Sequence, residues 1–176
     1  IQVKVTFDTS EELLKQLDGT GPDFVLSFMP EGVTGEFETL PLFSSRLNFI
    51  VHKSHPLAEL SSITLKRLSQ VPLILPAAGF ATRKKIEELC ASHQLTLSIG
   101  VELDDVHTII HALKGGRWGT ILTQAAVKGE QELVQVPILC NDHLTSHGFL
   151  FWPQGVYRKK SAIAFVDFLL KIVGKR

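Results

Sequence analysis

The chain has 176 residues, 44% hydrophobic and 20% charged, and 18 basic side chains balance 18 acidic ones. That composition belongs to a folded globular protein with one good-sized core or two small lobes, and it excludes a disordered chain. A formal net charge of zero lacks the footprint that a phosphate backbone demands, so this polypeptide alone is a poor nucleic-acid binder.

No apolar run approaches the roughly 20 residues that span a bilayer, so no membrane contact is expected. The first residues lack the apolar core of a signal peptide, and Cys90 and Cys140 have no C-x-x-C spacing. Both points favour reduced, buried thiols in a cytoplasmic protein.

Residues 1–7 alternate apolar and polar, which predicts a strand. Thr9-Ser10-Glu11-Glu12 has the form of a capping box, opening a helix on Leu13, Leu14 and Leu17 that Gly19 and Gly21 end. Residues 24–29 form a nearly continuous apolar run closed by Pro30, the pattern of a buried strand. Residues 47–51 predict another strand, Ser62 opens a short helix through Leu65 and Leu68, and Pro72 and Pro76 fence a strand at 73–75.

Beyond the Ala77-Ala78-Gly79 turn, Ile86, Leu89 and Cys90 have the spacing of a helix packed on one face. A strand at 97–103 leads to Asp104 and Asp105, natural caps for a helix carrying Val106, Ile109, Ile110 and Leu113, which Gly115-Gly116 stops. Strands follow at 120–122, 133–136 and 148–152. Phe165, Phe168, Leu169 and Ile172 build a last helix, with Lys171, Lys175 and Arg176 near its negative end.

Strands alternate with helices, so the fold class is α/β with mostly parallel sheets. Such sheets bind ligands beyond the carboxyl ends of their strands, here loops 28–31, 76–82, 103–106 and 122–125. Thr82-Arg83-Lys84-Lys85 starts a predicted helix, where cations oppose the macrodipole unless an anion binds the free N–H groups. The alternative is a helix that begins earlier, with its cations on a solvated face. His107 and His111 have a metal-capable spacing, yet the Glu of H-E-x-x-H is absent and no third ligand is suggested, so no metal is expected. No G-x-S-x-G elbow, P-loop or G-x-G-x-x-G occurs, so neither an enzyme nor a cofactor is indicated.

Leu47-Asn48-Phe49-Ile50-Val51-His52-Lys53-Ser54-His55-Pro56-Leu57-Ala58, Ile63-Thr64-Leu65, the 72–76 strand, Gly79, Arg83, Ile86, and Glu102-Leu103-Asp104-Asp105 follow one another along the chain. In that order these phrases resemble the effector-binding part of LysR-type transcriptional regulators. Leu133-Val134-Gln135-Val136-Pro137-Ile138 and Ala164-Phe165-Val166-Asp167-Phe168-Leu169 extend the likeness over nearly the whole chain.

The resemblance implies a two-lobed, type 2 periplasmic-binding-protein-like fold. Lobe one would comprise 1–52 and 148–176, without its first strand and helix, and lobe two 53–147. Crossings are expected near 52–54 and 146–149, with His55-Pro56-Leu57-Ala58 marking the first. A small-molecule effector, such as a carboxylate or inorganic anion, would bind in the cleft. The residues implied are Ser27, Phe28, Met29, Gly79, Phe80, Ala81, Thr82, Arg83, Asp105 and Thr123.

A homodimer or homotetramer would pair helices like 11–17 and 106–113. DNA would be reached only through a helix-turn-helix domain that nothing here resembles. Two positions depart from a common family form: Trp118 stands in place of a Gly and Thr123 in place of a Pro, so effector identity does not transfer. The rival reading is a stand-alone solute-binding protein of a transport system with the same fold; an enzyme on this scaffold is a distant third.

Overall fold

A computed structural model describes residues 2–29, 35, 37–140 and 144–173. The chain divides into two compact units, Ile1–Ser44 with His147–Arg176, and Ser45–Ser146. The units divide at 44/45 and 146/147, where the resemblance implied lobes dividing at 52/53 and 147/148. Pro30, residue 31, Lys175 and Arg176 lie outside the described residues, as does Ile1.

In unit 1, helix α1 (Ser10–Lys15) starts at Thr9, whose hydroxyl accepts from Glu12 N–H at 3.3 Å. Only half of the capping box forms. Thr9 N–H donates to Asp8 Oδ1 at 2.8 Å, and Glu12 instead pairs with Lys15. Gly19 follows with φ +90°, a conformation that suits a residue without Cβ. Strand β1 (Val25–Phe28) pairs antiparallel with β8 (Thr145–Pro153), Val25 opposite Phe151 and Phe28 opposite Gly148.

Period-two alternation sorts the unit 1 core. Val25 and Phe151 pack with Leu14 of α1 and with Leu17 just beyond its end. Leu150 and Trp152 pack with Ala162 and Val166 of α5 (Lys160–Val173).

Residues 2–9 form no strand, contrary to their alternation. Val3, Val5 and Phe7 are exposed, and no strand among the described residues pairs with them. Alternation alone does not make a strand: its N–H and C=O groups need a partner.

β2 (Phe37–His52) is much longer than the predicted 47–51 and passes from one unit into the other. The first crossing therefore lies inside a strand, not at His55-Pro56-Leu57-Ala58. That phrase is a tight turn within unit 2, closed by His55 N–H to His52 O and Ala58 N–H to His55 O, both 2.9 Å.

Unit 2 is a sheet covered on both faces. Its middle is β2, paired antiparallel with β6 (Gly119–Thr123) and with β7 (Leu133–Leu139). β4 (Leu73–Pro76) pairs in parallel with β5 (Ile99–Leu103) and β6, and short β3 (Ile63–Thr64) in parallel with β7. The sheet is thus mixed, its parallel parts being the β6–β4–β5 stretch and the short β3–β7 pair.

One face carries Leu47, Phe49, Val51, Leu73, Leu75 and Ile121 against α2 (Leu65–Leu68) and α3 (Ala81–Ser92). The other carries Ile50, Ile74 and Leu122 against α4 (Val106–Leu113). The absent side chain of Gly119 makes room for the ring of Phe49, fully buried on the facing strand. Thr64 caps α2 through Arg67 N–H at 3.3 Å, and Gly116 ends α4 with φ +72°. Cys90 is buried and Cys140 half-buried, and neither is part of a disulfide.

Candidate functional site

Parallel pairing brings the carboxyl ends of β4, β5 and β6 to one edge of unit 2. Pro76 stands opposite Leu103, and Ala77 N–H donates to Leu103 O at 2.9 Å. The turn 77–80, closed by Phe80 N–H to Ala77 O at 3.1 Å, then delivers the chain into α3.

Phe80 is the N-cap of α3 and contributes no side-chain cap bond. In a helix the first amides have no intrahelical acceptor, so the N–H groups that open α3 lie at the positive end of its macrodipole without a partner inside the helix. Thr82 sits in that first turn, 8% exposed. Gly79 is exposed, and Phe80 and Ala81 are half-buried. This arrangement can hold a small anion by N–H and hydroxyl donors.

Arg83 points elsewhere. Its side chain is 4% exposed and its Nη1 donates to Pro76 O at 2.8 Å. Nε meets Glu87 Oε1 at 2.8 Å and Nη2 meets Glu102 Oε1 at 3.3 Å. The guanidinium expected to face a ligand is bound to the scaffold on three sides. The sequence held a signal for this: Arg83, Ile86, Glu87 and Cys90 share one helical stripe by i, i+3, i+4, i+7 spacing, and Ile86 and Cys90 are core.

Asp105 caps α4, its carboxylate accepting from His107 N–H at 3.3 Å and Thr108 N–H at 2.8 Å. A bond from the Thr108 hydroxyl above all, together with those N–H bonds, holds its pKa below the ordinary aspartate value. Thr123 ends β6, 3% exposed, and precedes a 3-10 turn, Gln124–Val127.

Two further residues join this edge. The Ser45 hydroxyl accepts from Ala125 N–H at 3.0 Å, and Lys85 Nζ donates to Thr145 O at 2.6 Å. No local motif marks Ser45, whereas Lys85 belongs to the basic run at 82–85. Trp118 packs over Gly100 of β5, with the Arg117 guanidinium 5.4 Å from the ring centroid.

The unit 1 candidates stand at the end of β1. Ser27 Oγ donates to Ser10 Oγ at 2.7 Å, the Phe28 ring meets Phe43 edge-on, and Met29 is exposed with its N–H bonded to His147 O at 3.2 Å. Among the described residues, no group of three His, Cys, Asp or Glu side chains is placed to hold a metal ion. No described helix is long and apolar enough to cross a membrane.

The sequence profile of the LysR substrate binding domain family matches residues 1–173. The chain belongs to that family. Among its relatives, the HTH-type transcriptional activator CmpR of Synechocystis sp. (strain PCC 6803) is 27% identical over 122 residues, 68% of this chain and 40% of CmpR. A probable nitrogen assimilation transcriptional activator of the same organism is 23% identical across 95% of this chain and 53% of its own length. This LysR-family chain thus spans about half the length, or less, of these curated relatives.

Solved structures agree on the fold. The Synechocystis CcmR regulatory domain in complex with 2-PG superposes with a TM-score of 0.79 at 20% identity, covering 94% of this chain and 80% of that one. The effector binding domain of QuiR in complex with shikimate also gives 0.79 at 20% identity, over 96% and 80%. The fold is the type 2 periplasmic-binding-protein-like α/β fold of LysR-family effector-binding domains.

Proposed function

We propose that this LysR-family domain senses a small acidic molecule and passes the result to a DNA-reading region of a larger transcription factor. The family match across residues 1–173 carries the reading. The uncapped first turn of α3, with Thr82 buried in it, supports an anionic or carboxylate effector. Gly79, Phe80, Ala81 and Thr82 would form the anion turn, with Asp105 and Thr123 nearby, and Ser27, Phe28 and Met29 as further effector contacts from unit 1. The effector can shift the protein only by binding one arrangement better than another.

The full protein would be cytoplasmic and non-enzymatic, and would act as a homodimer or homotetramer through helices such as α1 and α4. The transport alternative is not favoured, because the curated relatives are helix-turn-helix regulators. A thermal-shift series with small carboxylates, amino acids and inorganic anions tests the sensing role. A true effector stabilises by RT ln(1 + [L]/Kd), about 2.7 kcal/mol at a hundredfold excess over Kd. A flat response to the whole series up to millimolar concentration would overturn the reading.

A further inference from the structure

The turn read above as the anion site has a buried cation beneath it, and that cation is outnumbered. Arg83 is 4% exposed, while its partners Glu87 and Glu102 are roughly half-exposed. Its three contacts go to three different elements: Pro76 O at the end of β4, Glu87 one turn along α3, and Glu102 on β5. A planar guanidinium offers donors in fixed, diverging directions, so one side chain can tie three acceptors together where an ammonium cannot. Burial of the charge is tolerated because it is paired.

We infer that Arg83 is a positioning residue: it holds turn 77–82 in the shape that presents the α3 amides, and it does not itself face the effector. The inference rests on reading that turn as the effector site. Its consequence is a reversal of sign. One positive charge here meets two carboxylates, so the group as a whole is acidic and repels an arriving anion. If Arg83 were a ligand contact, neutralising Glu87 or Glu102 would free it and tighten anion binding. If it is a brace, the same changes loosen the turn and weaken binding.

The experiment compares wild type with Arg83→Met, Glu87→Gln and Glu102→Gln. It measures amide hydrogen exchange across unit 2 without ligand, and affinity for inorganic phosphate by titration. The two glutamine variants alter half-exposed positions, so they keep the test decisive should Arg83→Met fold poorly. Loss of a charge-assisted bond predicts exchange about tenfold faster in 77–83, with β6 unchanged. Phosphate affinity should fall in all three variants.

Tighter phosphate binding in the glutamine variants with exchange in 77–83 unchanged would overturn the proposal, because Arg83 would then be a ligand contact and not a brace. Exchange that accelerates evenly over unit 2 would also overturn it, since Arg83 would then be a general stabiliser. If wild type binds no phosphate but exchange loosens only in the turn, the anion reading fails while the brace stands.

Discussion

The indole of Trp118 lies against the α-carbon of Gly100, leaving no space for a side chain on that strand. The half-buried ring also packs against the core cluster that holds Ile50, Ile74 and Leu122 on the α4 side of the sheet. Gly100→Ala should therefore destabilise unit 2 by about 1–3 kcal/mol, the usual cost of overpacking. Urea unfolding checks this. Combining Gly100→Ala with Trp118→Leu should recover part of the loss; simple additivity of the two changes would show that the contact is not what excludes a side chain at 100.

Asp105 ties the start of α4 through two N–H bonds and a hydroxyl, and its carboxyl pKa is lowered as a result. A carboxyl whose folded pKa is depressed contributes its stabilisation above the unfolded value and loses it as pH falls through the folded one. Stability should decline below about pH 4 in step with this group. Asp105→Asn keeps a good cap at neutral pH and should remove that part of the acid sensitivity. Circular dichroism melts between pH 2 and 5 would show it, and an unchanged acid profile in the variant would assign the sensitivity elsewhere.

His55 behaves in the opposite chemical sense. It is buried, its Nδ1 accepts from Leu57 N–H at 3.1 Å, and its ring meets Phe49 edge-on. Burial lowers its pKa. The unfolded chain then takes up a proton that the folded one refuses, so stability falls as pH drops below about 6.5, until the folded pKa is reached. His55→Asn, which retains an acceptor, should flatten unfolding free energy between pH 7 and 5. A slope equal to that of wild type would exclude His55 as its source.

Thr82 occupies the first turn of α3 with its side chain nearly enclosed. Thr82→Val preserves shape and removes the hydroxyl. Loss of a hydrogen bond to a charged ligand predicts affinity reduced by about ten- to a hundredfold. Isothermal titration with whichever acid stabilises the wild type gives the answer, and equal affinities would remove Thr82 from the site.

Local chemistry announced much of this structure. Thr9 and Asp105 cap the helices expected of them, Pro72 and Pro76 bracket β4, and Ile86, Leu89 and Cys90 face the core as their spacing predicts. What was not legible depends on partners distant in the chain. Residues 2–9 alternate like a strand but pair with none among the described residues. β2 runs through Pro41, a residue that normally argues against an interior strand. Arg83 looked like a ligand cation because its acceptors Pro76, Glu87 and Glu102 become visible only once β4, α3 and β5 are packed.

The double passage of the chain also sets an order of events during synthesis. Everything that unit 2 needs, 45–146, lies in one continuous stretch, whereas unit 1 waits for 147–176. β1 has its ladder partner in β8, and Ala162 and Val166 of the last helix cover Leu150 and Trp152. Domains generally fold as units while the ribosome is still extending the chain. Unit 2 can therefore mature first, and residues 1–44 are kept waiting for residues 147–176. Deletions within 147–176 should thus strike unit 1 while sparing unit 2.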